Sequence, residues 1–273
     1  MGVITGISAA IDGLTCLEQF TVDSSGLDNA VACNDSKGGV VRGLTNYDWE
    51  GAAVGYGHTP LKLPGEIFTF TGSDRAGQGW RSAANGAIVD KAHIFVKPKI
   101  AEMIYHHLYF SGNGSLTPGA YLATSSATPG GISSKERGIA INGSAVSGIA
   151  SWDLEIIGNN ADPLWTSTSG GWPNRGAGNI DAIITWQHHF DSIGTLPALG
   201  SFVEFWLYVT ASTYWAVKWA EILQLPTRYV IRNAQNKPEY VVTDGVAKFS
   251  GYYGGVEGFI KRPAGTTYWP AAA

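Results

Sequence analysis

A chain of 273 residues with 44% hydrophobic side chains can fill one large core or two of moderate size, yet its 15% charged residues are too few to cover a monomer's surface. With 36 glycines and 10 tryptophans, it reads as an assembly component whose aromatic side chains are buried against other subunits. A net charge of −4 excludes the basic face that nucleic-acid binding wants, and no apolar run approaches the roughly 18 residues of a membrane span.

In chain order, the opening Met1-Gly2-Val3-Ile4 lacks the basic and apolar regions of a signal peptide, which predicts a cytosolically made, soluble protein. Cys16 and Cys33 follow. Two such thiols supply no metal spacing; buried free thiols are the expectation, and a disulfide stays open if the final particle lives outside a reducing cell. Glu66 to Phe70, after Leu63-Pro64, reads as a strand. Ile88 to Lys97 and Met103 to Phe110, around Pro98-Lys99, predict a hairpin. Residues 122–135, rich in Ser, Thr, Gly and Pro, read as a linker between a first β module of residues 1–121 and a second of residues 136–273. In the second, Val203, Phe205, Leu207 and Val209 alternate with Glu204, Trp206 and Tyr208, as in a strand covered on both faces. Tyr214 to Ile222, with Trp215 and Trp219 four apart, predicts a short helix that Pro226 ends. Ile222 to Arg232 and Tyr240 to Phe249 then repeat the hairpin around Asn233 to Pro238.

The repetition runs through the whole chain. Ile4-Thr5-Gly6 and Leu17-Glu18 are answered by Ile141-Asn142-Gly143 and Leu154-Glu155, an offset of 137. Arg42-Gly43-x-x-Asn46-x-Asp48 is answered by Arg175-Gly176-x-x-Asn179-x-Asp181, and Leu63-Pro64 by Leu196-Pro197, both at 133. Phe110-Ser111-Gly112 returns as Phe249-Ser250-Gly251 at 139. Ordered matches with slightly drifting offsets are the mark of a tandem duplication with small loop indels. The fold expected is mainly β: two tandem, similar β-sandwich or barrel modules, each with a short flanking helix.

No arrangement of residues specifies catalysis, and the chain is not expected to be an enzyme or to carry a cofactor. His106-His107 in a strand point to opposite faces and share no metal, and His188-His189 has the same problem. His93 and His107 can meet across the hairpin but lack a third ligand. No Gly-x-Ser-x-Gly elbow occurs, and Gly51 to Gly57 lacks the ending of a phosphate loop. Asp48 and Glu50 share a strand face about 7 Å apart, as a glycosidase pair might, yet the second copy keeps only Asp181. Arg42, Asn46, Asp48, Arg175, Asn179 and Asp181 are therefore framework residues, with Arg42–Asp48 and Arg175–Asp181 as ion pairs that each pin a loop. Eight tryptophans fall in the second half, where core or subunit contact is the expectation and a sugar platform the alternative.

The stretch Asn46-Tyr-Asp-Trp-Glu-Gly51, through Gly57-His-Thr-Pro60, to Leu63-Pro-Gly-Glu-Ile-Phe-Thr-Phe-Thr-Gly72 resembles bacteriophage tail tube proteins, as does the opening Met1-Gly-Val-Ile-Thr-Gly-Ile-Ser. The resemblance implies a β-sandwich or barrel flanked by a helix, stacked as hexameric rings around a DNA channel. Some members carry two such domains and form trimeric rings with pseudo-sixfold symmetry; the duplication implies that arrangement here. It further implies a virion location after assembly in the host cytoplasm, with itself and other virion proteins as partners. DNA would be met only in transit. A capsid decoration protein and a carbohydrate-binding module are the competing readings.

Overall fold

The computed structural model describes residues 2–6, 8–11, 17–32, 40–56, 62–74, 76–96, 104–121, 138–166, 168–188, 196–263 and 267–269. Cys16, Cys33, His189 and the expected linker at 122–135 lie outside them. The first strands are β1 (Gly2–Gly6), β2 (Ser8–Ile11), β3 (Leu17–Ala32), β4 (Val40–Tyr56), β5 (Ile67–Phe68), β6 (Phe70–Ser73) and β7 (Gln78–Ser82). Then come β8 (Ala87–Val96), β9 (Ile104–Gly112), β10 (Leu116–Ala120), β11 (Ile139–Ile141), β12 (Ser144–Val146), β13 (Ile149–Asn159) and β14 (Leu164–Trp165). The chain continues with β15 (Pro173–Asn174), β16 (Asn179–His188), β17 (Phe202–Tyr208), β18 (Tyr214–Gln224), β19 (Thr227–Arg232) and β20 (Pro238–Thr243). It ends with β21 (Gly245–Phe249), β22 (Tyr252–Tyr253), β23 (Val256–Glu257), β24 (Phe259–Lys261) and β25 (Thr267–Trp269). The protein is all β among the described residues, so the expected flanking helices are not found there.

One antiparallel sheet carries the main path β1-β3-β4-β9-β8-β13-β16-β21-β18-β17-β11-β12. Its strands form because apolar side chains recur every second residue. In β13, Ala150, Trp152, Leu154 and Ile156 are buried while Ser151, Asp153, Glu155 and Ile157 face the other way. In β16, Ala182, Ile184, Trp186 and His188 do the same. The buried face is covered in the first half by a second sheet, β10-β7-β6-β2. Phe70 of β6 meets Phe20 edge-on at 5.7 Å and Phe110 at 5.2 Å, so the first half is a sandwich. In the second half β17 turns Val203, Phe205 and Leu207 inward, and Phe205 lies 5.1 Å from Trp186. A single hydrophobic core runs through both halves.

Both expected hairpins are present. β8 and β9 pair from Ala87↔Gly112 to Val96↔Ile104. β19 and β20 pair from Thr227↔Thr243 to Arg232↔Pro238, continuing the β18·β21 ladder. The expected helix at 214–222 is instead strand β18. Val203 faces Ala220 but Glu204 faces Lys218, so Trp219 is an extra, bulged residue with φ of 66°. The bulge switches the parity of the buried residues from Trp215 and Val217 to Ala220 and Ile222. A two-residue period broken once mimics helical spacing.

The sheet itself repeats. Strands β3, β4, β9 and β8 form one four-stranded unit, and β13, β16, β21 and β18 form a second in the same order. The pair Ser25↔Asp48 becomes Ile157↔Asp181, and Leu27↔Asn46 becomes Asn159↔Asn179, so the Asn-x-Asp motif holds one register in both. Four antiparallel steps separate β3 from β13, so the two units run in the same direction.

Candidate functional site

The two units meet where β8 pairs with β13, from Lys91↔Ile157 to Phe95↔Asp153. Two diagonal pairs cross this joint on the open face of the sheet. Lys91 Nζ lies 2.8 Å from Glu155 Oε2, and His93 Nε2 donates to Asp153 Oδ2 at 2.6 Å. Both are the side-chain ladder contacts that fix register between strands.

At one end of the joint the chain between β13 and β16 straps across onto the first unit. Gly171 O accepts the Tyr47 N–H at 2.8 Å, and the Trp172 ring stacks on Tyr47 at 5.1 Å. Trp165 Nε1 donates to Tyr47 O at 3.2 Å. Arg175 follows β15, its side chain only 11% exposed, and grips Asp48 with two bonds, Nη2 to Oδ2 at 2.6 Å and Nη1 to Oδ1 at 3.1 Å. Nη1 also donates to the Gly112 carbonyl, and the Arg175 N–H to Asn113 Oδ1 at 2.7 Å. A planar fork on a carboxylate in a mostly buried site combines charge with geometric specificity.

Beside it, Asp90 is the extra residue of a bulge between Val89 and Lys91. Its carboxylate accepts Ser111 Oγ at 2.9 Å and Asn160 Nδ2 at 2.8 Å. Burial raises its pKa above the ordinary aspartate value, against the lowering pull of those hydrogen bonds and of Arg175.

The framework residues thus fall into two groups. Asn46, Asp48, Asn179 and Asp181 sit at matched ladder positions, and Arg42 lies in β4 opposite Ala30. Arg175 does not pair with Asp181, as its own repeat would suggest; it crosses to Asp48 of the other unit, because the strap carries it there. Asp181 takes Lys248 at 2.9 Å. The sequence reading missed Lys91, Asp90, Asp153, Glu155 and Asn160. Opposite charges spaced two apart, Lys91-x-His93 and Asp153-x-Glu155, were the available signal, readable only once β8 and β13 are known to be neighbours.

The other candidates resolve into structure. His106 is buried and His107 faces the opposite side, its ring 5.8 Å from that of His93. His188 is buried and donates from Nε2 to Ser147 O at 2.5 Å. Among the described residues no group of three His, Cys, Asp or Glu is arranged to hold a metal. Trp49, Trp152, Trp186 and Trp215 are fully buried, and every other tryptophan whose side chain is described is more than half-buried. The sequence matches no protein-family model and no curated protein.

Proposed function

We propose that the protein is a bacteriophage tail tube subunit that builds trimeric, pseudo-sixfold rings stacked around a DNA-conducting channel. One observation carries the reading: two four-stranded units follow each other in one sheet, in the same direction, through a joint between unlike edges. Such a joint is heterologous, and repeating it adds units until a ring closes. The outer sides of the two units supply the same two edges. Beyond Ile222, whose N–H and C=O bond Ser201 and Gly200, no described ladder covers the outer side of β18 and β19, the counterpart of the β8 edge that receives β13. The opposite edge, on β3, carries β1 in the single chain, from Gly2↔Ser24 to Gly6↔Phe20, and closure requires β1 to give way.

The stagger of the sheet supports a barrel. Phe20, Ala53, Leu108 and Ala92 lie in one row, which meets β13 at Ile156 rather than at Trp152, the counterpart of Phe20. That shift of four residues over four strands is one residue per strand, the shear of barrels whose strands tilt by about 36°. Three chains, each giving eight strands at a spacing of about 4.8 Å, would close a barrel about 45 Å across between backbones. Its open face presents Lys91 and Lys248 already paired with Glu155 and Asp181, so a passing phosphate backbone meets no loose cation at either lysine.

Negative-stain microscopy and sedimentation of the purified protein test the proposal. Stacked rings or tubes are expected. Isolated trimers that never stack would favour capsid decoration, and a monodisperse monomer at high concentration would end both readings.

A further inference from the structure

We propose that Leu199 of one chain docks on Gly26 of a second copy, as Pro64 docks on Gly158 within one chain. The inference rests on the ring reading and names the apolar contact that seats one subunit on the next.

The contact inside the chain is built from a turn, a bulge and a glycine. Leu63 to Glu66 form a turn closed by the Glu66 N–H on Leu63 O at 2.9 Å, with Gly65 at φ of 83°. The Gly65 N–H donates to Val89 O at 2.8 Å, and the Val89 N–H donates to Glu66 O at 3.1 Å, which fastens the turn to β8. Just beyond, past the bulge at Asp90, the same side of β8 receives β13. Pro64, buried in the turn, there meets Gly158 of β13. A Cβ on Gly158 would stand 2.6 Å from Pro64 Cβ, so only glycine allows the approach.

The second unit rebuilds this seat without its occupant. Ala198 to Ser201 form the same turn, closed by the Ser201 N–H on Ala198 O at 3.2 Å, with Gly200 at φ of 76°. The Gly200 N–H donates to Ile222 O at 2.8 Å, and the Ile222 N–H donates to Ser201 O at 3.0 Å, which fastens this turn to β18. Leu223 then bulges as Asp90 does. Leu199 stands where Pro64 stood, yet it is 60% exposed, and Leu223 is 51% exposed. Two leucines left in water at the seat of a buried proline mark a contact that is not yet made.

The strand that fits is β3 of another copy. Gly26 faces Tyr47 beside the Ser25↔Asp48 pair, and Gly158 faces Ile180 beside Ile157↔Asp181, so the two glycines hold one ladder position. Gly26 is exposed, and the β1 ladder stops short of it at Gly2↔Ser24. Within one chain β4, β9, β8, β13, β16 and β21 lie between β3 and β18, so a second copy must bring Gly26 to this turn. In the ring the neighbour's β3 is one strand from β18, as β13 is one strand from β8. Leu199 on Gly26 also sets the register: Gln224 falls opposite Ser25, as Lys91 falls opposite Ile157.

Cysteine pairs test the contact. Gly26→Cys with Leu199→Cys, in a chain carrying Cys16→Ser and Cys33→Ser, is oxidised with copper phenanthroline. Disulfides between chains should give covalent dimers and trimers and no larger closed species. Pro64→Cys with Gly158→Cys in the same background should close within one chain and leave the mass of a monomer. Separately, Gly26→Leu fills the seat and Leu199→Asp charges its occupant. Each should raise the concentration needed for assembly about tenfold or more while the denaturation midpoint of the unassembled chain stays at the wild-type value. Wild-type rings with both variants assembling at the wild-type concentration, or with no interchain disulfide where the intrachain control closes, would overturn the contact alone. A wild-type protein that never assembles would overturn the ring and the contact with it.

Discussion

The two units differ most where they are most alike in geometry. In the first, Gly51 faces Phe110 and Ala53 faces Leu108 across β4 and β9. At the same ladder positions in the second, Ile184 faces Ala247 and Trp186 faces Gly245 across β16 and β21. Each large side chain has moved to the opposite strand, and its partner has shrunk to make room. A Cβ on Gly51 would run into the Phe110 ring, and one on Gly245 into the Trp186 indole. What the two units share is the volume of a facing pair, as close packing of a core layer demands, while the identity of either member differs.

The sharpest way to break this comparison is to take away a large member without enlarging its partner. Trp186→Ala should cost about 3–5 kcal/mol, read from denaturant unfolding, because the fully buried indole leaves a cavity. Adding Gly245→Leu, which copies the Ala53/Leu108 arrangement of the first unit, should recover at least about 1 kcal/mol of that loss. If the double variant is no more stable than Trp186→Ala, the two units do not share a packing layer.

Next in size is the arginine that crosses the joint. Arg175→Ala strips both guanidinium bonds from Asp48, which keeps only the Trp49 N–H, and takes a donor from the Gly112 carbonyl, at a cost of about 2–3 kcal/mol. Arg175→Lys should regain little, since an ammonium cannot reproduce the fork. Loss of the second unit's matching aspartate is expected to be milder. Asp181→Asn in the unassembled chain breaks only the exposed pair with Lys248, for less than about 1 kcal/mol. Equal losses at the two sites would remove the distinction between an aspartate held across the joint and one held within its own unit.

Much of this could be read in the sequence, and the misses have physical causes. The alternation in β17 and the hairpins β8·β9 and β19·β20 were legible because a strand's period is local. The bulge at Trp219 made β18 look helical, since a positive φ at a tryptophan leaves no mark on composition. The Arg-Gly-x-x-Asn-x-Asp repeat was legible, but its partner was assigned within each module. Which strand lies beside which is settled by long-range pairing, and β8·β13 has no local signature. The exchanged core pairs hide most of the likeness between the two units, because residue-by-residue matching sees Ala53 against Trp186 as a mismatch.

The two edges of the first units can be set against each other as well. On β13 the edge is taken by β8, while the matched edge of β3 is taken by β1. Deleting residues 1–7 should lower the concentration at which half the protein sediments as assemblies severalfold, because the neighbour no longer competes with an intramolecular strand. A deletion that instead abolishes assembly would make β1 part of the interface rather than its cover.

The smallest effect expected lies at Asp90, which has no carboxylate counterpart at Ile222 to Leu223 in the second unit. Burial raises its folded pKa above the unfolded value, so the folded chain binds the proton more tightly. The stability that follows is complete below the unfolded pKa and is lost as the pH rises through the folded one. Asp90→Asn keeps an oxygen for Ser111 and Asn160 but carries no charge to desolvate. Its denaturation midpoint should therefore exceed that of wild type at about pH 7.5 and converge on it at about pH 4 and below. A gap that stays constant with pH, or that widens towards acid, would mean that the hydrogen bonds and Arg175 outweigh burial at this bulge.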